Sequence, residues 1–165
     1  VMLSAETAAG KYPVETVEQM AAIALEAERA VDTSLKDDFM QRHFGRIDQS
    51  IAMGALFTAH HLGCKAIIAL TESGSTALWM SRHDIHVPIF GLTHKHVSER
   101  RMTLYRNVQP ILMPSHNERD LALQEAGDVL VKRGVLKPGD TYAITCGEPM
   151  GYPGGTNMLK VCRVA

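Results

Sequence analysis

Cys64-Lys65-Ala66-Ile67-Ile68-Ala69-Leu70, followed at once by Thr71-Glu72-Ser73-Gly74-Ser75-Thr76, is the stretch that decides the fold. Its first seven residues are a nearly continuous apolar run, the pattern of a strand covered on both faces as in a parallel sheet. The next six are small and polar, and a helical segment from about Thr76 to His83 follows them. A buried strand passing through a polar turn into a helix is the repeating unit of an α/β fold.

The alternation continues downstream. Pro88 to Leu92 reads as a second strand, His94 to about Leu104 as a polar helix, and Val108 to Met113 as a third strand. Pro110 places that strand at a sheet edge, because proline has no N–H for an interior ladder. Ser115 with Glu118 three residues later has the spacing of a capping box, and Leu121, Ala122, Ala126, Val129 and Leu130 keep helical spacing up to Lys132-Arg133-Gly134. Pro138-Gly139-Asp140 turns the chain into a strand over Thr141–Cys146, a glycine-rich loop covers 147–156, and Met158 to Val164 is a final strand. Upstream, Ile47, Ile51, Ala55 and Ala59 predict a helix closed by Gly63. Residues 32–46 read as a linker. Val17, Met20, Ala24, Ala27 and Val31 predict one buried helical face entered at Pro13, and residues 1–4 read as the end of a strand. The expected organisation is an α/β domain over 47–165, a mostly parallel open sheet with helices on both faces, preceded by a strand–helix unit over 1–31.

Composition narrows the function. Lys+Arg number 17 against Asp+Glu 18, a formal net charge of -1, so no global basic field draws in nucleic acid. No apolar run approaches the roughly 20 residues that cross a bilayer, and no signal-like segment opens the chain, so the expected partners include no membrane and the expected compartment is the cytoplasm. Cys64, Cys146 and Cys162 are an odd number without a close pair, and read as reduced packing residues. The chain starts Val1-Met2-Leu3, an apolar opening that suggests a piece of a longer protein.

Two loops carry the candidate chemistry. In Thr71–Thr76 the hydroxyls of Thr71, Ser73, Ser75 and Thr76 can donate to phosphate oxygens, and Gly74 lets the backbone approach closely. The loop 147–156 lies at the carboxyl end of the fourth strand of the domain, where open parallel sheets take their ligands. If the first and fourth strands are neighbours, the two loops meet across one crevice. The histidines of His60-His61, His83-x-x-His86 and His94-x-His96 read as surface or helix-end residues, because none follows a metal-binding spacing and Lys95 would repel a metal. Trp79 reads as a packing anchor. Ser4 and Glu6 form the one hydroxyl–carboxylate pair near an apolar strand end, without a general-base partner by spacing.

The stretch Met2-Leu3-Ser4-x-Glu6-Thr7-Ala8-x-Gly10-Lys11-Tyr12-Pro13 resembles the last strand and helix of the catalytic barrel of the pyruvate kinase family. The resemblance continues in order through Ala27-Glu28, Ile51-Ala52-Met53, Thr71-x-Ser73-Gly74-x-Thr76-Ala77, Leu104-Tyr105-Arg106 and Pro153-Gly154-Gly155-Thr156-Asn157, and is greatest to one bacterial isozyme group.

The resemblance implies a C-terminal portion: the end of a (β/α)8 barrel over 1–31, a linker over 32–46, and a C-terminal allosteric domain over 47–165 that ends in an antiparallel strand. It implies a parent homotetramer that transfers phosphoryl from phosphoenolpyruvate to ADP, giving pyruvate and ATP in glycolysis, with Mg2+ and K+. A barrel needs about 250 residues, so this chain is expected to be inactive alone and to bind no metal. Ser4 matches a family serine near the active site. Thr71, Glu72, Ser73, Gly74, Ser75 and Thr76 match the effector phosphate loop, and Gly151, Pro153, Gly154, Gly155 and Thr156 match the loop that closes over the effector.

Many members activated by fructose 1,6-bisphosphate carry Lys or Arg at the position of Ser75 and a non-acidic residue at that of Glu72. With Glu72 present and no cation expected nearby, the implied effector is a sugar monophosphate such as ribose 5-phosphate or glucose 6-phosphate, or AMP. The alternative is a free-standing phosphate-binding module without kinase activity.

Overall fold

The computed structural model describes residues 1–30, 43–116 and 118–165. The chain divides into two compact units, Val1–Thr33 and Ser34–Ala165. Most of the expected linker over 32–46, and Val31, lie outside the described residues.

In the first unit, a four-residue helix α1 (Ala5–Ala8) precedes α2 (Pro13–Ala30). Residues 1–4, expected to end a strand, have no regular structure. A strand needs a neighbour to satisfy its ladder groups, and the described residues of this unit contain none. The face of Val17, Met20, Ala24 and Ala27, expected to be buried, is not: α2 has no buried residue, Met20 is half-buried, and Val17 is more than half exposed. Pro13 does open the helix, as its missing N–H predicts.

The second unit runs α3 (Ile47–His61), β1 (Ala66–Leu70), α4 (Ser75–Ser81), β2 (Ile89–Thr93), α5 (His96–Met102), β3 (Val108–Leu112), α6 (Arg119–Lys132), β4 (Thr141–Gly147) and β5 (Thr156–Arg163). The strands form one sheet in the order β3-β2-β1-β4-β5. The first four are mutually parallel, with Leu70 opposite Leu92, Ile68 opposite Ile144 and Leu92 opposite Ile111. Only β5 runs antiparallel, against β4. All five residues of β1 are buried, as expected of a central strand covered on both sides. Pro110 sits in β3 at the edge.

Successive side chains of each strand point to opposite faces, so the sheet feeds two cores. Ile67, Ala69 and Ile89 pack with Leu56, Ala77 and Met80 of α3 and α4 and with Met102 of α5. Ile68, Leu70, Leu92 and Ile144 pack with Ala122, Leu123, Ala126 and Leu130 of α6. One face thus carries three helices, and the other rests on α6.

Two helices depart from expectation in detail. The buried residues of α3 are Asp48, Ala52, Met53, Ala55, Leu56 and Ala59, while Ile47 is exposed. A repeat of four drifts away from the true period of 3.6, so Ile47 at one end falls off the face that Ala55 and Ala59 define. The capping box does not form: α6 begins at Arg119 with Glu118 at the cap, and no side chain caps it. Of the cysteines, Cys64 and Cys146 are buried, while Cys162 is only half-buried; all three are free thiols. Burial pushes the thiols of Cys64 and Cys146 up from their ordinary range.

Candidate functional site

The chain crosses from one face of the sheet to the other after β3, because α4 and α5 cover one side and α6 the other. β1 and β4 therefore stand side by side while their following segments diverge, and the crevice at that point is where open α/β sheets hold ligands. A cleft opens there. Its walls come from the ends of all four parallel strands and the segments after them: Thr71 and Glu72 after β1, His94 after β2, Ser115 and His116 after β3, Gly147 at the end of β4, and Met150, Gly151, Tyr152 and Gly154 in the β4–β5 loop. Its apolar floor is Leu70, Leu92, Met113 and Ala122, which are also core residues.

Of the residues expected to bind ligand, Thr71, Glu72, Gly151, Gly154 and Thr156 line this cleft. Ser73, Gly74, Ser75, Thr76, Pro153 and Gly155 are not on its wall, although the first four shape it from behind. Gly74 has φ 81, a left-handed conformation suited to glycine, and its N–H donates to Thr71 Oγ1 at 3.0 Å. Ser73 Oγ donates to Ser75 Oγ at 3.2 Å. Thr76 is fully buried, and its hydroxyl lies 2.7 Å from that of Thr156, which joins the β1–α4 loop to the start of β5. The two loops do meet, because β1 and β4 are neighbours.

The β4–β5 loop is held at its base. Asn157 closes a reciprocal pair with Glu148: the Glu148 N–H donates to Oδ1 at 2.9 Å, and Nδ2 donates to the Glu148 carbonyl at 2.7 Å. Gly147 has no room for a side chain, since a β-carbon there would stand 2.7 Å from the carbonyl oxygen of Gly155. The Glu148 carboxylate is bound by Arg119 of α6, which also donates to Asp120 at 2.9 Å. That pairing holds the Asp120 carboxyl below its usual range.

The expectation that no cation stands near Glu72 is overturned. Lys95 Nζ lies 2.8 Å from Glu72 Oε2, and His94 Nδ1 lies 3.4 Å from Oε1. Ser98 Oγ also donates to the Glu72 carbonyl at 2.7 Å. These residues are 22 to 26 positions apart in the chain, and meet because β1 and β2 are adjacent and in register. His94 is therefore a cleft residue and not merely a surface histidine. His116, on the opposite wall, is paired with Glu125 of α6.

Spacing also gave no sign of Arg46 and Asp48. Asp48 is buried in the first turn of α3, and Arg46 reaches it with two bonds, Nε to Oδ1 at 2.9 Å and Nη2 to Oδ2 at 2.7 Å. The same guanidinium lies against Gly154, 3.6 Å from where a β-carbon would be.

Ser4 belongs to the first unit, where its N–H and Oγ donate to Glu6 Oε2 at 3.1 and 3.3 Å. Backbone donors hold the Glu6 carboxyl below its usual range. Trp79 packs against the three-helix core, with the Arg82 guanidinium 4.4 Å above its ring. Among the described residues, no group of three or more His, Cys, Asp or Glu side chains is placed to hold a metal ion. Among the same residues, no helix is long and apolar enough to cross a membrane.

A mostly parallel, open α/β domain with its cleft at the switch in strand order is the class these features define. The chain belongs to the pyruvate kinase alpha/beta domain family, which it matches over residues 49–162. It is 43% identical over 166 residues to a pyruvate kinase of Buchnera aphidicola subsp. Baizongia pistaciae, covering 99% of this chain and 34% of that protein. Pyruvate kinase II of Salmonella typhimurium is 39% identical over 165 residues, with 99% of this chain and 34% of that protein covered. A pyruvate kinase of Haemophilus influenzae is 37% identical over 164 residues, with 99% and 33% covered. The chain thus spans about a third of the length of these relatives.

Proposed function

We propose that this chain is the C-terminal, allosteric portion of a pyruvate kinase, and that its cleft binds a phosphorylated monoester effector. The observation that carries this reading is the meeting of the Thr71–Thr76 and 147–156 loops across one cleft, tied by the Thr76–Thr156 hydroxyl pair. Thr71, on the cleft wall, offers its hydroxyl to a phosphate, with Ser73 and Ser75 standing behind it, and Gly151, Gly154 and Gly155 let the second loop close over the rest of the ligand. Pro153 stiffens that loop. Because Glu72 and Lys95 offset each other's charge, this pair adds no net positive charge for a second phosphate. Ribose 5-phosphate, glucose 6-phosphate or AMP is therefore favoured over fructose 1,6-bisphosphate.

In the parent enzyme, this reading assigns phosphoryl transfer from phosphoenolpyruvate to ADP, with Mg2+ and K+, to the catalytic barrel. Ser4 lies near that active site. The described residues present no metal-binding group of their own, and the chain alone is expected to leave phosphoenolpyruvate and ADP unreacted. Effector occupancy biases a domain or subunit rotation in a cytoplasmic homotetramer, and linkage requires phosphoenolpyruvate to tighten effector binding in return.

Isothermal titration of the chain with ribose 5-phosphate, glucose 6-phosphate, AMP and fructose 1,6-bisphosphate tests the cleft. Binding of a monophosphate supports the reading, and tighter binding of the bisphosphate overturns the choice of effector. Production of pyruvate by the chain alone would overturn its assignment as a non-catalytic portion.

A further inference from the structure

We infer that Glu72 is a built-in stand-in for the ligand's phosphate, and that Lys95 is a binding residue it holds in reserve. The inference rests on the cleft being a phosphate site, as proposed above. Among the described residues, Glu72 is the one acidic residue on the cleft wall, and its side chain is 17% exposed. Both of its oxygens face nitrogen: Oε2 meets Lys95 Nζ at 2.8 Å and Oε1 meets His94 Nδ1 at 3.4 Å. The Ser98 hydroxyl pins its carbonyl at 2.7 Å, so the backbone that carries the carboxylate is fixed. Lys95 is 44% exposed at its side chain, and is free to swing on its four-carbon stem once released.

A carboxylate held against a lysine and a histidine at the rim of an anion cleft occupies the place a phosphate oxygen would take. A phosphate monoester carries about -1.5 to -2 charges near neutral pH against one for a carboxylate, and offers three acceptor oxygens against two. It therefore competes well for Lys95: Lys95 turns to the phosphate, and the partly exposed Glu72 carboxylate turns to water and keeps His94 beside it. The internal carboxylate sets an affinity threshold, since weakly charged anions fail to displace it. It also explains how an acidic residue can stand in a phosphate loop without abolishing binding.

The test measures binding of ribose 5-phosphate and of inorganic phosphate to the 165-residue chain, with ribose as the uncharged control. Removing the stand-in by Glu72→Gln is expected to tighten both phosphate compounds by about threefold to tenfold, the scale of one charge-assisted contact near a surface. In that background, Lys95→Gln is expected to weaken binding about tenfold, while Lys95→Arg retains most of it. If Lys95→Gln changes nothing once Glu72 has been replaced, Lys95 only neutralises its neighbour and the inference is overturned. If Glu72→Gln weakens binding, the stand-in role is overturned by itself. Wild-type binding with either of those results leaves the phosphate cleft intact; absence of phosphate binding in every variant overturns the cleft and the inference together.

Discussion

The hydroxyl of Thr76 lies 2.7 Å from that of Thr156, and the two residues are 80 positions apart in the chain. The contact is buried and spans the two cleft loops, so its loss is expected to reach both stability and ligand binding. Replacing either threonine with valine keeps the shape but leaves the other hydroxyl without its partner, at a cost of about 1–3 kcal/mol. The double replacement removes both polar groups and is expected to cost less than the two single changes combined. Urea denaturation of the four proteins measures this, and simple additivity would show that the pair does not interact.

Gly147→Ala is expected to disturb the cleft more than the fold. Its β-carbon would stand 2.7 Å from a backbone oxygen of Gly155, so the loop itself has to move. We expect affinity for ribose 5-phosphate to fall about tenfold, or 1.4 kcal/mol. Unchanged affinity would mean that the loop base tolerates displacement.

Tyr142 gives the domain an alkaline limit. Burial first, and then the neighbouring Cys162 and Asp128, push its phenol up to about 12. In the unfolded chain a tyrosine ionises near about 10, so between about pH 10 and 12 the unfolded state has released a proton that the folded state retains. Stability from this residue is complete below about pH 10 and falls as pH rises toward 12, by about 2–3 kcal/mol in all. Urea midpoints across that range should decline less steeply in Tyr142→Phe. An identical decline would remove Tyr142 as the cause.

Leu130 is fully buried on the face that α6 covers. Leu130→Ala is expected to cost about 2–5 kcal/mol, because its removal opens a cavity that the surrounding strands cannot readily fill. A cost below about 1 kcal/mol would show that the site collapses on truncation.

The central architecture was legible because it depends on runs of residues near each other in the chain. The apolar run through Ile67, Ile68 and Ala69, Pro110 at the edge, and the helical spacing of Ala122, Ala126 and Leu130 each report burial directly. In the first unit the helix opening at Pro13 was legible, but the burial expected of its face is not seen among the described residues. Val17, Met20, Ala24 and Ala27 have the periodicity of a buried face, but periodicity does not show whether a partner covers it. In the site, Thr71 and Thr156 were accessible from loop composition, whereas Lys95, His116, Arg46 and Arg119 were not. Glu72, Glu125 and Glu148 are brought to Lys95, His116 and Arg119 by the chain's path between elements, Asp48 meets Arg46 at the start of α3, and charge pairs of this kind have no sequence period.

Leu70, Leu92, Met113 and Ala122 are at once the floor of the cleft and part of the core beneath α6. A substitution at any of them is consequently read twice, once by the folding equilibrium and once by whatever occupies the cleft. A change of ligand preference achieved by enlarging Ala122, which has no exposed surface, would need a compensating reduction on the sheet side to stay folded. Specificity in this domain is thus expected to evolve through the loop residues around the rim, leaving the floor in place as the family diversifies.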